Sequence, residues 1–253
     1  MRPKVQVAVG SRVQTNCMKN AASLALLAAL VSLGQGPTRA LAAGEEGVAL
    51  AIIYDTSGSM RDTVPDATGH RSPKFRIANR ALKEIASQVQ TFATNTAGGP
   101  PRTVQAGLWV FNGDSARQAV KFGPFDAAAL VSFADRFSQP SGNTPLGNAL
   151  KLAGQAVLDS PLPHKHVLII TDGMNTAGPP PEETLPALKG KAEAKGTSLS
   201  VHFVAFDTDA KVFSPVKKQG ATVVSASDEK QLNTQLEFIM QRKILLEDEE
   251  PKR

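Results

Sequence analysis

Ala49–Met60, ALAIIYDTSGSM, is the stretch on which the reading of the fold turns. Ala51, Ile52, Ile53 and Tyr54 form an unbroken apolar run, and Asp55, Thr56, Ser57, Gly58 and Ser59 follow at once. A run of this length without polar alternation suits a strand buried on both faces of a parallel sheet. Its tip cannot pack in a core; it turns at Gly58 and points one carboxylate and two hydroxyls at one spot. The spacing Asp55-x-Ser57-x-Ser59 supplies hard oxygen donors of the kind Mg²⁺ or Mn²⁺ prefers, without the His or Cys that Zn²⁺ or copper more often brings. Taken alone, it reads equally as a strand-to-helix turn in which Asp and Ser cap backbone N–H groups.

Outward from this stretch, strand and helix signals alternate from Val48 almost to the end. The polar stretch Arg61–Pro73 reads as a loop containing His70. Phe75, Ala78, Leu82, Ile85, Ala86, Val89 and Phe92 then mark one face of a long amphipathic helix. Gly98-Gly99-Pro100-Pro101 breaks the chain, Thr103–Phe111 is a strand, and Ala116–Phe122 pairs antiparallel with it across the Asn112-Gly113-Asp114 turn. Asp126 caps a helix reaching Phe137; Ser138–Thr144 is a loop; Pro145 opens a helix running to Leu158, for which Thr144 is a ready N-cap. His166–Thr171 is a second fully apolar strand and ends in Asp172-Gly173. A helix over Glu182–Lys195, a strand over Leu199–Phe206, a short helix over Ala210–Gln219, a strand over Ala221–Val224 and a final helix capped by Asp228 complete the series.

This alternation predicts an α/β fold: a Rossmann-like, doubly wound, mostly parallel six-stranded sheet with one antiparallel edge strand and helices on both faces. In such sheets ligands bind beyond the carboxyl ends of the strands, where strand order reverses. With the order 3-2-1-4-5-6, the reversal falls between the strand ending at Asp55 and the one ending at Asp172. Two carboxylates far apart in sequence then meet at one crevice, which favours the metal reading over the turn reading.

Residues 1–42 carry Arg2, Lys4, Arg12, Lys19 and Arg39 and no acid, and beyond them 23 Lys and Arg balance 23 Asp and Glu. The basic pI therefore gives no argument for nucleic-acid binding. Lys19, the apolar run Ala21–Leu33 and the small-residue stretch ending Ala40-Leu41-Ala42-Ala43 read as a signal peptide over 1–42, with Met18 an alternative start and a retained membrane anchor the competing interpretation. Cys17, the only cysteine, falls within it, so the remaining chain has no disulfide, cysteine nucleophile or thiolate metal site. Residues 43–246 are expected to form a single domain without a membrane span, residues 247–253 a charged tail, and the protein to be exported, periplasmic or secreted. His164 and His166 beside Lys165 read as surface histidines, His70 as a solvated loop residue and His202 as packed in or at the edge of its strand.

Three motifs stand together: Asp55-Thr56-Ser57-Gly58-Ser59, Gly142-Asn143-Thr144-Pro145-Leu146-Gly147 and Thr171-Asp172-Gly173. In order and separation they resemble a von Willebrand factor A domain with an intact metal-ion-dependent adhesion site, and Ala226-Ser227-Asp228 before an amphipathic helix resembles bacterial members of that family. The likeness covers about Val48–Ile244. It implies that Ser57 and Ser59 bind the metal directly, that Thr144 does so directly or through water, and that Asp55 and Asp172 hold coordinated waters and orient the hydroxyls. It also implies Mg²⁺, or Mn²⁺ or Ca²⁺ in its place, and a partner protein presenting an Asp or Glu carboxylate. Family members switch by moving the Thr144-type loop and the last helix, here Glu229–Leu246.

The expected function is thus a non-enzymatic, metal-dependent protein-binding module for adhesion or assembly. The alternative is a metal-dependent hydrolase or phosphatase-like enzyme using Asp55 as nucleophile. Such phosphatases usually carry a second carboxylate two positions on, where this chain has Ser57.

Overall fold

The computed structural model of the chain describes residues 47–95 and 102–245. The expected signal peptide 1–42, the Gly98–Pro101 break and the expected tail 247–253 lie outside the described residues, as do residues 43–46 and 246. Strand β1 (Gly47–Tyr54) is buried along its whole length and lies at the centre of the sheet. Val48, Leu50, Ile52 and Tyr54 enter one core, and Ala49, Ala51 and Ile53 enter the other, as the two-residue period of a strand requires.

Parallel neighbours flank β1: β4 (Thr103–Asn112) on one side and β6 (His164–Thr171) on the other. Beyond β4 lies antiparallel β5 (Ser115–Pro124), and beyond β6 lie β7 (Ser200–Phe206) and β8 (Thr222–Ala226), giving the order β5-β4-β1-β6-β7-β8. Strand order reverses between β1 and β6, as expected from the sequence.

Helices α1 (Lys74–Thr94), α2 (Ala127–Arg136) and α6 (Glu229–Ile239) cover the face that receives Leu50 and Ile52. The opposite face is covered by α3 (Leu146–Leu158), α4 (Pro181–Ala194) and the short α5 (Ser214–Lys218). On that face β1 presents two alanines, and α3 answers with Ala149 and Ala153, so helix and sheet approach closely. No helix among the described residues is long and apolar enough to cross a membrane.

Several local expectations are corrected. The Arg61–Pro73 stretch is a small antiparallel ribbon, β2 (Thr63–Pro65) with β3 (Arg71–Pro73), turned around Asp66, whose Oδ1 accepts the N–H groups of Thr68 and His70. Two three-residue strands that each end in proline are too short to show a period. Strand β5 extends three residues beyond the expected Ala116–Phe122 at its two ends together. Pro145 precedes α3 with a non-helical ψ of 62°, so the helix begins one residue later than expected. His166 is buried, not on the surface: its Nδ1 lies 3.3 Å from Nε2 of buried His202 and the rings stack 18° from parallel. Between His164 and His166 in sequence, Lys165 is buried too, donating to the carbonyls of Ser160 and Leu162. Past α6 the chain continues as one π-helical segment, Met240–Leu245.

Gly147 shows how tightly α3 meets the loop that follows β6. A Cβ there would lie 2.0 Å from the Pro179 carbonyl oxygen, whereas one at Gly190 in α4 would meet nothing within 4 Å. Gly147→Ala is therefore expected to lower stability by about 1–3 kcal/mol and Gly190→Ala to raise it by about 0.5–1 kcal/mol, both read by urea unfolding.

Candidate metal centre

At the carboxyl ends of β1 and β6 the two strand tips are locked together. The Asp55 N–H donates to the Ile170 carbonyl, carrying the β1–β6 ladder one residue past Tyr54. Asp55 is wholly buried. Its Oδ1 accepts the Ser57 N–H at 2.8 Å, and its Oδ2 accepts the Thr171 hydroxyl at 2.6 Å. The first of these is the capping bond that the turn reading anticipated. The serines do something else: Ser57 Oγ and Ser59 Oγ lie 3.1 Å apart, and Ser59 Oγ donates to Asp172 Oδ1 at 2.7 Å. Ser57 Oγ, Ser59 Oγ and Asp172 Oδ1 thus form one chain of oxygens spanning two strand tips, and Asp55 joins it through the Ser57 N–H.

Thr144 sits beside this chain without a hydrogen bond to it among the described residues. Its own loop is nevertheless fastened to the Asp55 loop, through Gly58 N–H to Gly142 O, Ser141 N–H to Thr56 O, and Arg61 Nε to Pro140 O. Gly142 adopts φ 82°, a left-handed conformation that suits glycine. Thr144 does not cap α3. Its backbone instead exchanges bonds with Thr176, the N–H donating to Thr176 Oγ1 and the carbonyl accepting the Thr176 N–H. The loop is held from behind as well: Tyr54 OH reaches Asn79 Oδ1 at 2.6 Å, and Asn79 Nδ2 donates to the Phe137 carbonyl.

Two carboxylates and three hydroxyls make a hard, oxygen-only donor set. No group of three or more His, Cys, Asp or Glu able to hold a metal gathers among the described residues, so a metal here would depend on the hydroxyls. The electrostatics agree with an anion-rich pocket. Burial, and after it the negative charge of Asp172, pushes the Asp55 carboxyl up to about 6, while hydrogen bonds from Ser57 and Thr171 pull against that rise.

Sequence reasoning missed Lys74. Its Nζ lies 2.8 Å from Asp172 Oδ2 and 3.2 Å from Asp207 Oδ2. Burial lowers its pKa, but Asp172 and Asp207 outweigh burial and hold the ammonium above the usual lysine range. Asp207, just past β7, takes a left-handed φ of 55°, which Asp tolerates better than most residues. One signal was available in the sequence: a lysine as first residue of a helix opposes the helix dipole and calls for nearby acids.

Residues 50–175 match the family model described as von Willebrand factor type A domain. No curated protein sequence matches the chain. Among solved structures, the chain is similar to the PilB minor pilin from Streptococcus sanguinis at 15% identity and TM-score 0.58, covering 79% of this chain and 62% of the pilin. Proximal thread matrix protein 1 from the mussel byssus, with a zinc-occupied MIDAS motif, is similar at 17% identity and TM-score 0.57, covering 77% of this chain and 47% of that one. The vWF domain of the type V pili tip protein Mfa5 from Porphyromonas gingivalis is similar at 14% identity and TM-score 0.55, covering 77% and 94%. At these identities the likeness is one of fold, and the chain spans less than two thirds of the pilin and about half of the thread protein.

A dication held here needs Asp55 ionised. Since folding raises that pKa from 3.8 to about 6, Asp55 contributes stability to the metal-free protein below pH 3.8, and this contribution is lost as pH rises through about 6. Metal binding runs the other way, because the proton competes with the ion. The rise in unfolding temperature on adding Mg²⁺ is expected to be larger at pH 7.5 than at pH 5, measured calorimetrically against EDTA controls. A shift equal at both pH values would contradict this.

Proposed function

With residues 50–175 matching the family model described as von Willebrand factor type A domain, we propose that the chain is a non-enzymatic, metal-dependent protein-binding module of adhesion or assembly type. The single observation that carries this reading is the oxygen chain Ser57–Ser59–Asp172 across adjacent strand tips, joined to Asp55 through the Ser57 N–H, with the Thr144 loop pinned beside it. Ser57 and Ser59 would hold the ion directly, Thr144 directly or through water, and Asp55 and Asp172 through water while fixing the hydroxyls. Mg²⁺ suits such a site best, with Mn²⁺ or Ca²⁺ as alternatives, because it keeps waters and takes few protein ligands. When bound, the dication supplies an open, electropositive coordination position. Two carboxylates neutralise it and neutral hydroxyls add no charge, so an Asp or Glu carboxylate from a partner protein is the ligand that fits.

An enzyme using Asp55 as nucleophile is disfavoured by the geometry. The carboxylate is wholly buried and each of its oxygens already accepts a hydrogen bond, so it is not an exposed nucleophile facing a substrate in the crevice. Exposed Met174 and Arg61 lie on the loops around the crest, where a partner surface would rest. The neutral charge balance beyond residue 42 gives no support to a nucleic-acid partner.

We place the module outside the cytoplasm, periplasmic or secreted, with residues 1–42 as its signal peptide, 43–246 as its single domain and 247–253 as a charged tail. The fold is shared with a minor pilin, a pili tip protein and a thread matrix protein from the mussel byssus, which supports this placement.

A pull-down from the host's exported proteins tests the reading, run with Mg²⁺, with EDTA, and with the Ser57→Ala/Ser59→Ala variant. The expected result is a partner retained only with metal and intact serines. A partner held equally under all three conditions would overturn the metal-dependent mechanism.

A further inference from the structure

A buried ammonium group stands against the oxygen chain. The Lys74 side chain is 4% exposed, and its Nζ lies 2.8, 3.2 and 3.8 Å from carboxylate oxygens of Asp172, Asp207 and Asp62. The Asp172 side chain is fully covered, whereas those of Asp207 and Asp62 are 41% and 73% exposed, so water screens the outer two. The inner group is therefore Asp55, Asp172 and Lys74, with a net charge of one negative. Lys74 is tied to α1 and cannot diffuse away as a second metal ion would. It is also placed at a helix N-terminus, where a cation is unfavourable unless acids surround it.

We infer that Lys74 sets the charge balance of the metal site, loosening the grip on the dication and tightening the grip of the loaded site on a carboxylate ligand. This rests on the metal-site reading given above. A dication added to Asp55, Asp172 and Lys74 leaves one net positive charge; without the lysine the sum is zero. An approaching carboxylate is drawn more strongly to the ion's open position when Lys74 is present, and in this low-dielectric crest one unit of charge weighs heavily.

The test is Mn²⁺ binding to the full chain, followed by the electron paramagnetic resonance signal of free Mn²⁺, with acetate as the carboxylate probe displacing Mn²⁺-bound water in proton relaxation. Lys74→Met is expected to bind Mn²⁺ about tenfold more tightly and to need about tenfold more acetate. Lys74→Arg is expected to match the wild type in both. If circular dichroism shows Lys74→Met to be unfolded, Lys74→Gln, which keeps a donor for Asp172, carries the same expectation. Wild-type Mn²⁺ affinity and acetate response in the neutral variants would overturn the role of Lys74 and leave the metal site standing. Mn²⁺ binding by neither the wild type nor the neutral variants would overturn both.

Discussion

The pairing of β1 with β6 forces two carboxylates towards one point, and much of the crest is arranged to make that tolerable. Asp55 and Asp172 follow parallel strands in register, so their tips cannot separate without unzipping the centre of the sheet. In a buried setting two like charges repel strongly. The chain answers with donors: the Thr171 hydroxyl and the Ser57 N–H on Asp55, the Ser59 hydroxyl and the Lys74 ammonium on Asp172. Asp172 thus has a cation and Asp55 has only neutral partners; burial, and after it the charge of Asp172, raises the Asp55 pKa.

The same constraint explains why the surrounding loops are held through their backbones. Gly142, Ser141 and Pro140 are each fastened by a main-chain group, which leaves the Thr144 hydroxyl without a structural task among the described residues. A side chain positioned by its backbone but not consumed by hydrogen bonding remains available to a ligand. The last helix is fastened to the same end of the molecule, because buried Glu229 at its start accepts from Arg80 of α1 and from the Ala67 N–H of the β2–β3 ribbon.

What was legible in the sequence was what burial dictates locally. β1 and β6 are buried on both faces, so their apolar runs are unbroken and announce parallel strands. α1 buries one face over 21 residues, long enough for its period to show. Of the five proposed metal residues, Ser57, Ser59 and Asp172 are joined side chain to side chain, Asp55 accepts the Ser57 N–H, and Thr144 lies on the adjacent loop. The β2–β3 ribbon, the buried His166–His202 pair and Lys74 were not legible. Each depends on a long-range partner: Lys74 reads as a surface residue until β6 and β7 bring Asp172 and Asp207 to it. A charged residue's burial is decided by its partners, and a single sequence gives those only where a motif names them.

The metal centre is the claim on which the functional reading stands. Diffraction from crystals of the full chain grown with Mn²⁺, with anomalous difference maps, tests it most directly. The account predicts one strong peak between the Ser57 and Ser59 hydroxyls, facing Thr144 and close to Asp55 and Asp172. No peak at that place, or a peak only among Asp62 and Asp207 with Lys74 turned away, would contradict it.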